Sequence, residues 1–213
     1  MSLLQVGSRS ETTQESGGVV KGVAIALVTQ NKDDEGFCRV KVTYPWRHRP
    51  GESYWAPLAV PMAGKDRGLV MIPEVGDQVL VAFEREDLRF PYVLGGLWNG
   101  KDRPPINNKD GKNDKRKLVS RSKHFLLFDD GQRGVVQLSH EKGRTILFDE
   151  DGFVVKDEKG NMVKVNSGSG EMTIEAKGKL NIKAAMISIE ATGTLELNSK
   201  GTMKISGSVV NIN

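Results

Sequence analysis

The sequence predicts an all-β protein made of two unlike halves, and three observations predict it. Apolar residues recur at period two in short runs bounded by Gly, Pro, Asn and Asp, the pattern of half-buried strands. The first half shows no run with the 3.6-residue period of an amphipathic helix. All eight prolines lie before residue 106 and all Trp and Tyr before residue 99, and no aromatic residue follows Phe153. That shift in composition marks a boundary between two domains.

Residues 1–18 are polar and rich in Ser, Thr, Gly and Glu, which predicts a flexible N-terminal arm. They lack the basic region and apolar stretch of a secretory leader. An apolar-rich run follows at 19–28, then a turn at 31–36. Residues 37–44 alternate apolar and polar, which puts Cys38 on the core side of a strand, and Pro45 ends it. Further strands are predicted at 54–60, 78–83 and 91–98, with a turn at 73–77. Five short strands within residues 19–100 predict a small closed barrel.

Residues 101–117 are a basic linker. They hold seven basic and three acidic residues, so they carry the entire formal net charge of +4. Turn formers dominate the segment and apolar residues are almost absent. The flanking halves are close to neutral, so neither shows the basic face of a nucleic-acid-binding module by count.

Residues 118–213 read as a β-helical stalk. Their unit is an apolar–polar–apolar triplet: Met172/Ile174, Leu180/Ile182, Ile187/Ile189, Leu195/Leu197, Met203/Ile205 and Val210/Ile212. The triplets follow at steps of 8, 7, 8, 8 and 7 residues, with Gly178, Gly193, Gly201 and Gly207 between them. Each triplet places two aliphatics on one strand face, and a fixed short period is the mark of a β-solenoid or β-helix. A looser echo precedes it: residues 125–131 are repeated in type at 145–152. Strands this short, without aromatics, leave one chain little to bury its aliphatics against, and its strand edges stay open. Copies wound about a three-fold axis give every triplet a partner. The prediction is an intertwined triple-stranded β-helix in a homotrimer, with those twelve aliphatics as the trimer core.

Several function classes recede. No run approaches the roughly 18 apolar residues of a membrane-spanning helix. One cysteine excludes an internal disulfide framework, and three histidines leave little for a metal or catalytic centre. Residues 129–131 and 149–152 fit Asp-Gly turn chemistry better than a calcium loop. Glu84, Glu86 and Asp87 read as a charged hairpin tip, and His124 and His140 as stalk-surface residues. Trp46, Arg47, His48 and Arg49 mix aromatic and basic groups as single-strand nucleic-acid grips do, but also suit a loop at the barrel rim. No catalytic residue, cofactor or metal is expected.

Residues 36–46 (GFCRVKVTYPW) and 53–57 (SYWAP), followed by 73–83 (PEVGDQVLVAF) and 91–99 (PYVLGGLWN), resemble the OB-fold of contractile-tail spikes. That family comprises phage baseplate assembly protein V, phage tail-spike proteins and the VgrG proteins of type VI secretion. The second half is similar to their C-terminal stalk. The resemblance implies a homotrimeric, non-enzymatic central spike of a contractile injection machine, with OB barrels as a collar. It implies a separate trimeric hub protein facing Trp46, Arg47, His48 and Arg49. A PAAR-type tip protein is implied at Val210, Asn211, Ile212 and Asn213. Baseplate and inner-tube components are further expected partners. The particle would assemble in the bacterial cytoplasm and meet the target membrane only by mechanical puncture. Two other readings stand beside it: an OB-fold single-stranded nucleic-acid-binding module with a solenoid tail, and a β-helix that degrades envelope polysaccharide. The lack of aromatic sugar platforms beyond Phe153 counts against the latter.

Overall fold

The computed structural model describes residues 19–48 and 51–211. The expectations for the N-terminal arm, for Arg49 and for Ile212 and Asn213 lie outside the described residues. The chain divides into two compact units, with the division between Lys109 and Asp110.

In the first unit, strands β1 (Val23–Gln30), β2 (Lys41–Thr43), β5 (Gln78–Phe83) and β6 (Pro91–Gly96) form a sheet in the order β2-β1-β5-β6. Between β2 and β5 lies a two-residue ribbon, β3 (Ala63–Gly64) against β4 (Arg67–Gly68). Segment 52–59 closes the sheet on itself. Val40 and Ala56 exchange backbone hydrogen bonds of 3.0 and 2.7 Å, antiparallel. On the other side, Leu58 pairs with Val93 in parallel, with Val93 N–H donating to the Pro57 carbonyl and Ala59 N–H to that of Val93. The result is a five-stranded barrel without a free edge, the OB arrangement. Period-two alternation places the core: Ala26 and Val28 on β1, Val40 and Val42, Ala56, Val79, Val81 and Phe83 on β5, and Val93 on β6. Tyr44 joins them, and burial pushes its phenol up to about 12.

One expectation is corrected here. Cys38 is exposed, with φ +57°, and Phe37 is exposed as well. The strand begins only at Val40–Lys41 because the preceding loop wraps a carboxylate. Asp33 accepts from the N–H groups of Glu35, Phe37 and Arg39, and from Arg39 Nε and Nη2 at 2.8 and 2.9 Å. Local side-chain acceptors of this kind outcompete an extended chain. Arg39 holds the Asp33 carboxyl well below the usual carboxylate range, and Asp33 in turn raises Arg39.

The second unit is a seven-stranded antiparallel meander in chain order: β7 (Lys115–Val119), β8 (Phe125–Asp129), β9 (Val135–Ser139), β10 (Thr145–Asp149), β11 (Gly152–Lys156), β12 (Met162–Asn166) and β13 (Glu171–Glu175). Every strand has five residues, and a side-chain acceptor on each turn sets the register. Ser120 Oγ accepts from His124 N–H, Asp129 from Gly131, His140 Nδ1 from Lys142, Asp149 from Asp151, Asp157 from Lys159 and Asn161, and Asn166 from Gly168 and Ser169. Residues 115–117, expected in the linker, are the first strand. Their charges are answered across the hairpin, Lys115 by Asp129 at 3.5 Å and Arg116 by Asp130 at 2.5 Å. Beyond Glu175 the described chain forms no strand, and residues 177–211 are all exposed.

Candidate functional site

The register of the meander sorts its side chains into two unlike faces. Residues directly opposite one another share a face, so the pairings run as rows across all seven strands. One row is Leu118, Leu126, Leu138, Ile146, Val155, Val163 and Ile174. The next on the same face is Arg116, Phe128, Val136, Phe148, Phe153, Val165 and Met172. Thirteen of these fourteen side chains are apolar, and the rings of Phe148 and Phe153 meet at 5.9 Å.

Nothing in the described chain covers this face. Nine of the thirteen are exposed, from 37% for Ile146 to 61% for Met172. The opposite face is mixed and covers itself. Its central row is Lys117, Leu127, Gln137, Leu147, Val154, Lys164 and Thr173. There Lys117 Nζ lies 4.1 Å from the Phe125 ring centre, its stem laid over apolar surface. Completing the burial of nine half-exposed aliphatic and aromatic side chains is worth on the order of 10 kcal/mol per chain. That equals the net stability of a typical domain, so the face is an interaction surface rather than scattered surface apolarity.

Of the triplets predicted as a trimer core, the first lies on this face. Met172 and Ile174 occupy one position in each of the two apolar rows on β13. Leu180, Ile182, Ile187, Ile189, Leu195, Leu197, Met203, Ile205 and Val210 are all exposed, in chain without strand pairing. Sequence reasoning singled out only the residues from Met172 onward. It missed the eleven apolar residues on β7–β12, although the repeat of 125–131 at 145–152 pointed at Phe128 and Phe148.

The remaining sequence-predicted positions scatter. In the barrel, Trp46 donates its indole N–H to the Ile25 carbonyl at 3.1 Å and lies 5.5 Å from the Tyr44 ring. Arg47 N–H closes a turn on the Tyr44 carbonyl, and His48 is exposed. Val210 and Asn211 are exposed at the far end of the described chain. Two cations of the barrel, Arg39 and Lys41, are engaged within the chain. Arg39 pairs with Asp33 and Glu35, Lys41 faces Glu52 at 3.7 Å, and both lean on the Trp55 ring. Glu84 accepts from the Tyr92 hydroxyl at 2.9 Å and Asp87 pairs with Arg89, so the acidic hairpin tip is engaged in local contacts. His124 and His140 stack at 4.3 Å, each with Nδ1 accepting a backbone N–H. Among the described residues, no group of three or more His, Cys, Asp or Glu is placed to hold a metal ion. On the stalk unit Arg133 bridges Asp149 and Asp151, and Arg144 forks onto Glu158. The Arg144 guanidinium lowers the Glu158 carboxyl. Asn161 lowers Asp157, which closes the neighbouring turn.

Comparison with known proteins places this geometry. Residues 24–98, the barrel, match the model of the type VI secretion system/phage-baseplate injector OB domain. The actin cross-linking toxin VgrG1 of Vibrio cholerae is 29% identical over 196 residues, covering 82% of this chain and 18% of the toxin. The type VI secretion system spike protein VgrG2a of Pseudomonas aeruginosa is 34% identical over 101 residues, 44% of this chain and 12% of that protein. VgrG3 of Vibrio cholerae, a spike protein of the same system, is 32% identical over 101 residues, 44% of this chain and 10% of VgrG3. The chain thus spans less than a fifth of the length of these relatives. Over residues 24–98 the chain matches the injector OB domain of the type VI secretion and phage-baseplate family, and it is similar to part of the VgrG spike proteins.

Proposed function

We propose that the chain is the homotrimeric central spike of a contractile injection machine, and that its stalk is a β-helix of three chains. The observation that carries this reading is the bare apolar face of the meander, whose last strand carries the first triplet, Met172 and Ile174. Three such faces turned toward one axis cover one another and exclude water, and the polar faces remain outside. Beyond Glu175 the triplets of one chain take strand partners from the other two, which satisfies the backbone as well as the aliphatics.

The mechanism is mechanical. Axial load on a closed ladder with a continuous apolar core spreads over many strands, and no edge is left to peel. The OB barrels join the stalk to a separate trimeric hub, with the loop carrying Trp46, Arg47 and His48 toward it. The distal end at Val210 and Asn211 receives a PAAR-type tip. On contraction of a sheath the spike pierces the target envelope, and no bond chemistry is asked of it. Sedimentation equilibrium of the full chain tests the reading. A mass near three times 23.4 kDa is expected at micromolar concentration, and a folded monomer overturns it.

A further inference from the structure

The barrel unit has two apolar surfaces of its own, both uncovered. The first is an arm. Residues 61–72, between segment 52–59 and β5, are exposed at every position. They carry Met62, Leu69, Val70, Met71 and Ile72, at 37–70% exposure, around the small ribbon β3–β4. Leu69 N–H bonds to the Met62 carbonyl at 3.0 Å, so the ribbon extends one pair further, and beyond it residues 70–72 run without strand partners. The arm's charges, Lys65, Asp66 and Arg67, sit together at its turn.

The second surface is the outside of the sheet. On β1, Val23 and Ile25 alternate with the core residues and are exposed, as are Tyr92 and Leu94 on β6. The pairings Val23–Ala82–Tyr92 and Ile25–Leu80 join them through β5 into one apolar patch, with the Glu84 carboxylate on the Tyr92 hydroxyl at its edge. A barrel exterior that faces water ordinarily alternates with polar residues.

We infer that the arm of one copy seats on the β1–β5–β6 patch of the next copy, so that three barrels close into a ring by a head-to-tail contact. The inference rests on the trimeric stalk and names the barrel surface that serves it. A head-to-tail ring needs two different, complementary patches on each copy, and the barrel shows two. Each is a few hundred Å² of apolar side chain. Arm and patch together supply a substantial part of the roughly 800 Å² per partner that a specific interface buries. Only residues 97–114 separate β6 of each barrel from β7, so joined stalks hold three barrels at millimolar effective concentration. Two apolar surfaces associate under that condition, and the charged turn of the arm stays at the rim.

Cysteine cross-linking in the full chain tests it. Cys38→Ser removes the native thiol. Val70→Cys is then combined with Ile25→Cys or with Leu94→Cys, and a short bis-maleimide is added at micromolar protein. A single cysteine per chain links at most two chains, whereas a head-to-tail ring carrying both cysteines links three. The expected result is that most of the chain runs as a covalent trimer on a denaturing gel for at least one pair, and that none does for the single variants. Light scattering on the same samples separates the two readings. A trimeric mass without a covalent trimer from either pair overturns the arm contact and leaves the trimeric stalk standing; the patch then belongs to another protein. An internally linked monomer band in a trimeric sample also overturns it, because the arm then folds onto its own barrel. A monomeric mass overturns both.

Discussion

Phe148→Ala separates a covered sheet face from a bare one. In a single chain the Phe148 side chain is half exposed, and its main neighbour is Phe153 at 5.9 Å. A full Phe→Ala core truncation costs about 3–5 kcal/mol. With half the side chain already covered within the chain, the other half, about 2 kcal/mol, falls on contacts between chains. The loss repeats in each of three copies, so a trimer loses about 6 kcal/mol against its separated chains. At 1.4 kcal/mol per decade, its dissociation constant rises roughly four decades. Sedimentation equilibrium over a dilution series reads this directly. Lys164→Ala is the control: it lies on the mixed face, one position along β12 from Val163 and Val165. The expected outcome is dissociation of Phe148→Ala at concentrations where the parent and Lys164→Ala stay trimeric. If both variants keep the parent's mass down to nanomolar concentration, the apolar face is not between chains and the reasoning fails.

Two further predictions concern the folding of each unit. At Gly152, φ is +140° and an added Cβ would collide with the Val165 carbonyl oxygen. Gly152→Ala should destabilise the stalk by about 3 kcal/mol, seen as a lowered denaturation midpoint. Gly143→Ala, with φ +85° and open space around the new Cβ, should cost only about 1 kcal/mol. Equal effects would refute the close approach of β11 and β12. In the barrel, the lowered Asp33 carboxyl fixes the sign of a pH effect. Its contribution is fully present above the unfolded carboxylate value near 3.9 and is lost as pH falls toward the folded value. Asp33→Asn should therefore lower the urea midpoint at pH 7 and flatten its decline between pH 5 and pH 2. A variant with the parent's acid slope would show that the loop does not depend on that carboxylate.

The barrel was legible as strands and turns: residues 78–83 read as a strand, and the turn at 73–77 closes through Asp77 N–H on the Glu74 carbonyl. Which residues of that strand face inward, Val79, Val81 and Phe83, was not legible, because Leu80 and Ala82 between them are apolar too. Alternation failed at Cys38 because it sees only side-chain polarity. The five donors gathered by Asp33 hold the chain in a loop whatever the pattern of residues 37–39. Lys115–Lys117 read as linker because three adjacent basic residues look solvated. Two of their partners, Asp129 and Asp130, lie across a hairpin whose register depends on the Ser120 turn. The same dependence hid the apolar face. Phe128 and Phe148 fall in one row only if both intervening turns have the right length, and Asp129 and His140 set those lengths through hydrogen bonds rather than hydropathy.

The two parts of the second unit lack different things, and the difference orders their assembly. Strands β7–β13 pair their backbone within one chain, apart from the outer edges of β7 and β13, and leave mainly side chains uncovered. Residues 178–211 leave both: among the described residues they make no backbone–backbone hydrogen bond within the chain. A sheet that is already hydrogen-bonded can form first as a unit and then pack face to face, a contact between preformed surfaces. In the proposed assembly the distal triplets take up their strands only when a neighbour arrives, because ordering them alone costs about 1–2 kcal/mol per residue with no ladder in return. In the proposed trimer, packing of the three meanders is thus the step that brings the triplets of separate chains together, and the braid then grows away from it. On this account a lesion in the meander, such as Phe148→Ala, delays or prevents ordering of residues more than thirty positions downstream. A lesion in the last triplets leaves the meander trimer intact.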